Sequence, residues 1–296
     1  MNETTLLQKI LPLLHCSADM PVPPGDDCAL LEFGNKYLLA AADQVISKVH
    51  YLVDTSPERI AGKLLKRNLS DIAAMGGIPR WALLTLAVNG RSDEWMERFF
   101  AGLEACAQQY HVTIAGGDLA ALPCELDCGS LTILGEVELA KVCLRKNAQV
   151  GDLIVVTGFL GDTFASEHHL DFEPRLAEGR FLAENDFSCC MMDISDGIAS
   201  DLPKLLQQSQ VGATVELEKL PCRNNCHWKN ALCDGEDYEL LFTVKPEKLP
   251  ELQKAWHFAV PLSCIGRIVE NKDLIYTLNG SAAANGEISG YEHFNS

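Results

Sequence analysis

The sequence predicts an α+β protein of two mixed domains, residues 1–147 and 148–296. Three observations carry that reading. Short apolar runs of strand character recur along the chain, helical patterns lie among them in both halves, and a polar stretch at 146–152, KNAQVGD, separates two series of strands. Before the break the strand-like runs are 37–42, 82–88, 112–115 and 131–138. After it they are 153–157, 189–194, 213–217, 239–244 and 262–269. Most are Leu-rich or β-branched and bounded by Gly, Asp or Asn. The second domain is expected as a mixed sheet flanked by helices.

The clearest helical pattern lies in DTSPERIAGKLLKRNLSDIAAMGGIP, residues 54–79. Thr55 or Ser56 can cap it, Pro57 suits its first turn, and Glu58 complements the positive helix end. Ile60, Leu64, Ile72 and Met75 keep roughly helical spacing; Gly76, Gly77 and Pro79 stop it. Further helices are expected over 93–110 and 174–185. The opening MNETTLLQKILPLL carries Glu3 and no basic segment before its apolar part. It reads as a short amphipathic helix and not as a signal peptide. In MMDISDGIASDL, Pro203 lies just beyond the quoted residues. Proline is tolerated in a helix's first turn but not in its middle, so the helix is expected to start near Ser200, with Ser200 as its cap.

Hydrophobic residues make up 47% of the 296 and aromatics 7%, enough for packed cores. No apolar run approaches the length of a membrane-spanning helix. Lys and Arg number 24 against 41 Asp and Glu, a net charge of −17. That argues against a broad nucleic-acid or anionic-membrane surface. A small anionic ligand stays open if its site brings its own cations. The 12 Cys read as reduced, in a cytoplasmic protein. Cys124-x3-Cys128 and Cys222-x3-Cys226-His227 could hold zinc, but the spacing is not the common one; small apolar filler and surface thiols are the plainer reading.

Carboxylates gather at element ends. Asp26 and Asp27 precede a strand in PPGDDCALL, Asp43 ends LLAAADQV, and Asp118 follows Gly116 and Gly117. Asp71 lies late in the long helix, and Asp193 and Asp196 stand in DISDG. Each has an ordinary reading: Gly-Asp-Asp is a common turn, Asp193 or Ser195 could cap a helix, and Asp71 could pair with Arg67. Asp71 fits its ordinary reading least. A carboxylate near a helix C-terminus is disfavoured by about 0.3–1 kcal/mol, and Ala73, Ala74 and Met75 beside it suggest burial. A divalent cation offsets both penalties. Carboxylates at strand ends with few basic neighbours suit Mg²⁺, which keeps positions open for phosphate oxygens. Gly116-Gly117 and the VTGFLGDT stretch allow the backbone close to a ligand. Neither GxxxxGK[ST] nor GxGxxG occurs, so a nucleotide would be held through metal bridges and not by a P-loop.

GDDCALL, AAADQV…VHY, NLSDIAAMGGIP, AGGDL, LRKNAQVGDLIVVTGFLGD, MMDISDGIASDL, GEDYELLFTV and GYEHF follow one another along nearly the whole chain. In this order the set resembles the thiamine-monophosphate kinase family, part of the ATP-binding superfamily that includes aminoimidazole ribonucleotide synthetase. The resemblance implies transfer of the γ-phosphate of ATP to thiamine monophosphate, giving thiamine diphosphate. It implies a homodimer, with strands of the first domain forming a barrel at the interface. Residues 1–147 would bind ATP and Mg²⁺ and dimerise, and 148–296 would complete the active site. Carried over by motif, the Mg²⁺ ligands are Asp27, Asp43, Asp71, Asp118, Asp193 and Asp196, with Asp193, Asp196 and Arg145 at the chemistry. ATP contacts fall on Gly117, Asp118, Arg145 and Ser195. Thiamine-phosphate contacts fall on His50 and Glu236, with Tyr291 of GYEHF closing over the ring. A monovalent cation could assist. On residues alone, His50 reads as a polar residue at a strand or loop edge and Glu236 as a turn acid; their motif positions favour ligand contact.

The chain departs from the family pattern in places. Ala41 and Ala42 stand where Ser or Thr precedes Asp43, and Leu119 stands where Thr follows Asp118. Pro24 stiffens the loop before Asp26, Asp171 replaces an Arg in HLDFEPR, and Ile288 and Ser289 stand where an aromatic residue precedes GYEHF. These positions support the ligands or face the substrate, and such losses cost about 10–100-fold in metal affinity or activity. The alternatives are a superfamily member with another acceptor, or a weakly active or non-catalytic nucleotide-binding paralogue.

Overall fold

A computed structural model describes residues 3–15, 17 and 20–283. The first half forms a five-stranded sheet of β1 (Ala29–Phe33), β2 (Lys36–Ile46), β3 (Ile78–Val88), β4 (Thr113–Ala121) and β5 (Cys128–Glu138), in the order β1-β2-β5-β3-β4. Its pairings are antiparallel except β3 with β4. The second half forms a seven-stranded sheet of β6 (Leu153–Thr157), β7 (Met191–Asp193), β8 (Gly212–Glu216), β9 (Leu240–Val244), β10 (Leu262–Val269), β11 (Leu274–Leu278) and β12 (Ser281–Ala282). Its order is β12-β11-β8-β10-β6-β9-β7, and β11 with β8 is its parallel pair. The helices are α1 (Glu3–Ile10), α2 (Pro57–Ala74), α3 (Asp93–Gln109), α4 (His168–Asp171), α5 (Leu176–Glu184), α6 (Ile198–Ser209), α7 (Trp228–Cys233) and α8 (Leu249–Ala255). The α+β class and the mixed second sheet agree with the expectation. Among the described residues no helix is long and apolar enough to cross a membrane.

Every expected strand is present, with ends moved by a few residues. β1, β11 and β12 are additional. β1 had a signal: Phe33 pairs with Lys36 across Gly34-Asn35, a two-residue hairpin turn of the kind Gly and Asn favour.

Helix α2 lies between the halves. It packs on β2, β5 and α3 from one side and on α4, α5 and β7 from the other. That double contact explains why Leu64, Leu65, Leu69 and Ile72 are wholly buried, each burial favouring the fold by about 1.5–3 kcal/mol. Ser56 occupies the cap position, although its hydroxyl makes no capping bond, and Pro57 sits in the first turn. The stop is steric as well as conformational. Gly76 has φ +67°, and a Cβ there would lie 2.5 Å from the Ala183 methyl.

The start of α6 differs from the expectation. The helix begins at Ile198 with Gly197 as cap, and Pro203 lies inside it. Ser200 is within the helix and does not cap it. Ile198, Leu202, Leu205 and Leu206 are buried on the second core, and that packing outweighs the local cost of proline.

Candidate active site

The end of β7, the last turns of α2 and the loop before β1 converge. Asp193, Asp71 and Asp27 each offer a carboxylate oxygen, all within 4.8 Å of one another. Among the described residues this is the one group of His, Cys, Asp and Glu side chains with metal-holding geometry. Burial, with Asp43, Asp193 and Asp27 close by, pushes the Asp71 carboxyl well above its ordinary value. Burial, with Asp27 close by, pushes Asp193 up as well, while a bond from the Ser70 hydroxyl at 2.6 Å favours its charged form. The Asp71 and Asp193 carboxylates resist ionising together unless a cation lies beside them. An all-oxygen donor set of this kind fits Mg²⁺.

Cationic side chains surround the trio. Arg145 forks onto Asp27, at 2.5 and 3.2 Å, and also donates to the Gly25 carbonyl. Its backbone N–H donates to Asp26, whose carboxyl burial raises to about 6. Asp43 accepts from Arg67 Nε at 3.1 Å. Asp196 accepts from Lys204 at 2.7 Å. Asp201 accepts from the backbone N–H groups of both Ser195 and Asp196. It thereby shapes the turn after β7. Burial raises Asp201 to about 6, against the pull of Lys204. Asp43 and Asp196 thus lie near the trio but are held by these cations, and neither belongs to it.

A cleft of about 530 Å³ opens beside the cluster. His50, Arg67, Phe164, Ser195, Asp196, Glu236 and Tyr238 are among its walls. His50 is buried, and its Nδ1 accepts the Ile46 N–H at 3.0 Å, so the ring proton sits on Nε2. Lys63 reaches from α2 with a wholly buried side chain. It donates to both Glu236 carboxylate oxygens, at 2.7 and 2.8 Å, and to the His50 carbonyl. Burial lowers Lys63 to about 8. Sequence reading named His50 and Glu236, and Arg67 only as a partner for Asp71 where the structure gives it to Asp43, but missed Lys63, Ser70 and Asp201. Lys63 and Arg67 lie on α2 at four-residue spacing with Asp71, so the face that carries Asp71 was an available signal for them, whereas Ser70 directly precedes Asp71 and had none.

Asp118 and Gly117 come from the first sheet. Both are exposed on β4, the sheet's edge strand, and Asp118 is not in the trio. Gly117 has a packing reason to be glycine, because a Cβ would fall 1.7 Å from the Leu84 carbonyl oxygen. Tyr291 and the rest of GYEHF lie outside the described residues. Of the cysteines weighed for zinc, Cys124 is exposed, while the Cys222 and Cys226 thiols donate to the Leu220 and Leu160 carbonyls. His227 accepts from Lys229 N–H as the cap of α7. The departing Asp171 has a partner. Arg59 of α2 forks onto it at 2.6 and 3.1 Å, tying the long helix to α4.

Residues 25–137 match the AIR synthase related protein N-terminal domain, and residues 149–279 the corresponding C-terminal domain. The thiamine-monophosphate kinase of Haemophilus influenzae is 36% identical over 83% of this chain and 82% of its own. That of Escherichia coli K12 is 32% identical over 93% of each. Among solved structures, AaThiL complexed with AMPPCP and TMP superposes with a TM-score of 0.84 at 29% identity, covering 99% of this chain and 97% of the other.

Proposed function

The chain belongs to the thiamine-monophosphate kinase family of AIR synthase related proteins, and from that premise we propose how its cleft works. The protein is a kinase that phosphorylates thiamine monophosphate to thiamine diphosphate with ATP as co-substrate. The observation that carries the reading is the juxtaposition of the Asp27, Asp71 and Asp193 cluster with the His50 and Glu236 cleft.

Phosphoryl transfer asks mainly for alignment and charge neutralisation. Asp27, Asp71 and Asp193 would hold Mg²⁺, and Asp43, Asp118 and Asp196 are the further proposed ligands. Bound Mg²⁺ supplies charge neutralisation on the phosphate oxygens and offsets the repulsion within the cluster. Arg145, held against Asp27, adds a fixed guanidinium at the same place. Ser195 and Gly117 are the proposed ATP contacts. Lys63 fixes the Glu236 carboxylate, which, with His50, would position the thiamine part. The acceptor phosphate is largely a dianion at neutral pH, with a second pKa of about 6. It is a competent nucleophile, so no strong general base is required of the chain.

The finer readings complete the proposal. Residues 1–147 carry nucleotide binding and dimerisation and residues 148–296 complete the site. The protein works as a cytoplasmic homodimer, in which first-domain strands form a barrel, and a monovalent cation assists beside Mg²⁺. Incubating purified protein with ATP, Mg²⁺ and thiamine monophosphate tests the reading, and thiamine diphosphate is the expected product. Retained ATP binding without product would instead favour a different acceptor or a non-catalytic role.

A further inference from the structure

The cleft contains a polar group that this chemistry has not used. Tyr238 lines the cleft, yet it is only 1% exposed, and its hydroxyl has no hydrogen-bond partner among the described residues. Two other buried side-chain atoms share that state, one oxygen each of Asp26 and Asp237. Their carboxylates are bonded through the second oxygen, to the Arg145 and Gly161 N–H groups. Among the described residues, Tyr238 is the buried side chain of this set left with no bond at all. A buried hydroxyl without a partner is unfavourable, and such groups in native proteins call for an explanation.

The hydroxyl is held in place. Its ring stacks on Phe172 at 3.9 Å between centroids. Its backbone takes φ +51°, a left-handed conformation that bulky residues rarely adopt. The Tyr238 N–H donates to the Ile194 carbonyl and the Glu236 N–H to the Ser195 carbonyl. These bonds clamp the segment to the strand end that carries Asp193. Arg67, Glu236, Asp43 and Asp193 are the charges that act on the phenol. Its surroundings thus include Glu236, the residue proposed to hold the thiamine part, and Asp193 of the aspartate cluster. At neutral pH a phenol keeps its proton and can donate it to an acceptor. The nearby carboxylates of Glu236 and Asp193 are already bonded to Lys63 and Ser70.

Resting on the kinase reading above, we infer that the Tyr238 hydroxyl donates a hydrogen bond to an oxygen of the acceptor's phosphate, where that phosphate meets the aspartate cluster. The hydroxyl's lack of an internal partner is then explained by the substrate it awaits.

The test is Tyr238→Phe in the full chain, which keeps the ring stack and removes the hydroxyl. Steady-state kinetics with ATP, Mg²⁺ and thiamine monophosphate are paired with thermal melting. The expected result is a fall of about 10–100-fold in kcat/KM for thiamine monophosphate, an unchanged KM for ATP, and a melting midpoint equal to or above the parent's. An unchanged kcat/KM overturns the assignment. So does a lowered melting midpoint, because the hydroxyl would then have a structural partner. The parent run alongside separates the two claims. No thiamine diphosphate from the parent sinks the kinase reading itself, and inorganic phosphate binding equally to both proteins would then overturn the Tyr238 assignment as well.

Discussion

Ser70→Ala is the sharpest probe of the aspartate cluster, because it leaves every carboxylate in place. The Ser70 hydroxyl is buried and donates to Asp193 Oδ2 at 2.6 Å. Burial and Asp27 oppose the charged form of Asp193, and this bond is the first influence that favours it. A hydrogen bond to a charged group contributes about 1.5–3 kcal/mol. At about 1.4 kcal/mol per decade, losing it should weaken Mg²⁺ binding roughly 10- to 150-fold. The deficit should grow as pH falls, since proton and metal then compete for a carboxylate that protonates more readily. The assay is a Mg²⁺ titration of thiamine diphosphate formation at two pH values, with melting curves to verify folding. A folded variant whose Mg²⁺ half-saturation matches the parent's at both pH values would refute the reasoning.

Further outcomes follow from other sites. Asp193→Asn should abolish Mg²⁺-dependent nucleotide binding yet melt higher than the metal-free parent, because it removes a charge that folding disfavours. The sign is set by the raised folded-state value: the parent's contribution is full below the ordinary carboxylate value and is lost as pH rises through the raised one. A melting midpoint below the parent's would contradict this. His168 is lowered by burial from 6.5 to about 4, so its contribution is full above 6.5 and is lost as pH falls toward 4. Allowing for partial solvent screening, that loss is about 2 kcal/mol, and urea midpoints of His168→Gln should lack this part of the parent's slope. Gly117→Ala places a Cβ 1.7 Å from the Leu84 carbonyl oxygen. It should cost at least about 1–3 kcal/mol in chemical denaturation; an unchanged midpoint would mean β4 is not held there. Asp171→Ala breaks an ion pair whose carboxylate is 63% exposed. Its stability cost should stay below about 1 kcal/mol, and a double-mutant cycle with Arg59→Ala measures it.

Much of the fold was legible because local patterns agree with the tertiary arrangement. Pro57, Glu58 and Gly76 bracket α2 in the sequence as they do in space. The failures have physical causes. The start of α6 was misplaced because burial of Ile198, Leu202 and Leu205 overrode a local rule about proline. β11 and β12 escaped notice because short strands at a sheet's end carry little pattern. In the site, Asp27, Asp71 and Asp193 could be named from strand ends and helix position. The partners that tune them could not. Ser70 and Asp193 are 123 residues apart in the chain, and Lys63 and Glu236 173 apart.

Local patterns sufficed for the α+β class, for the helix bearing Asp71, and for acids placed where strands and turns end. Periodicity, caps and turn residues act over a few positions, so they can be read without coordinates. Only the tertiary structure decided which acids meet. It gathered Asp27, Asp71 and Asp193, gave Asp43 to Arg67 and Asp196 to Lys204, and left Asp118 exposed on an edge strand. Those outcomes depend on how α2 is pressed between two sheets. Burial and charge–charge distances arise only when distant segments pack, and they carry no signature in any short stretch of the chain.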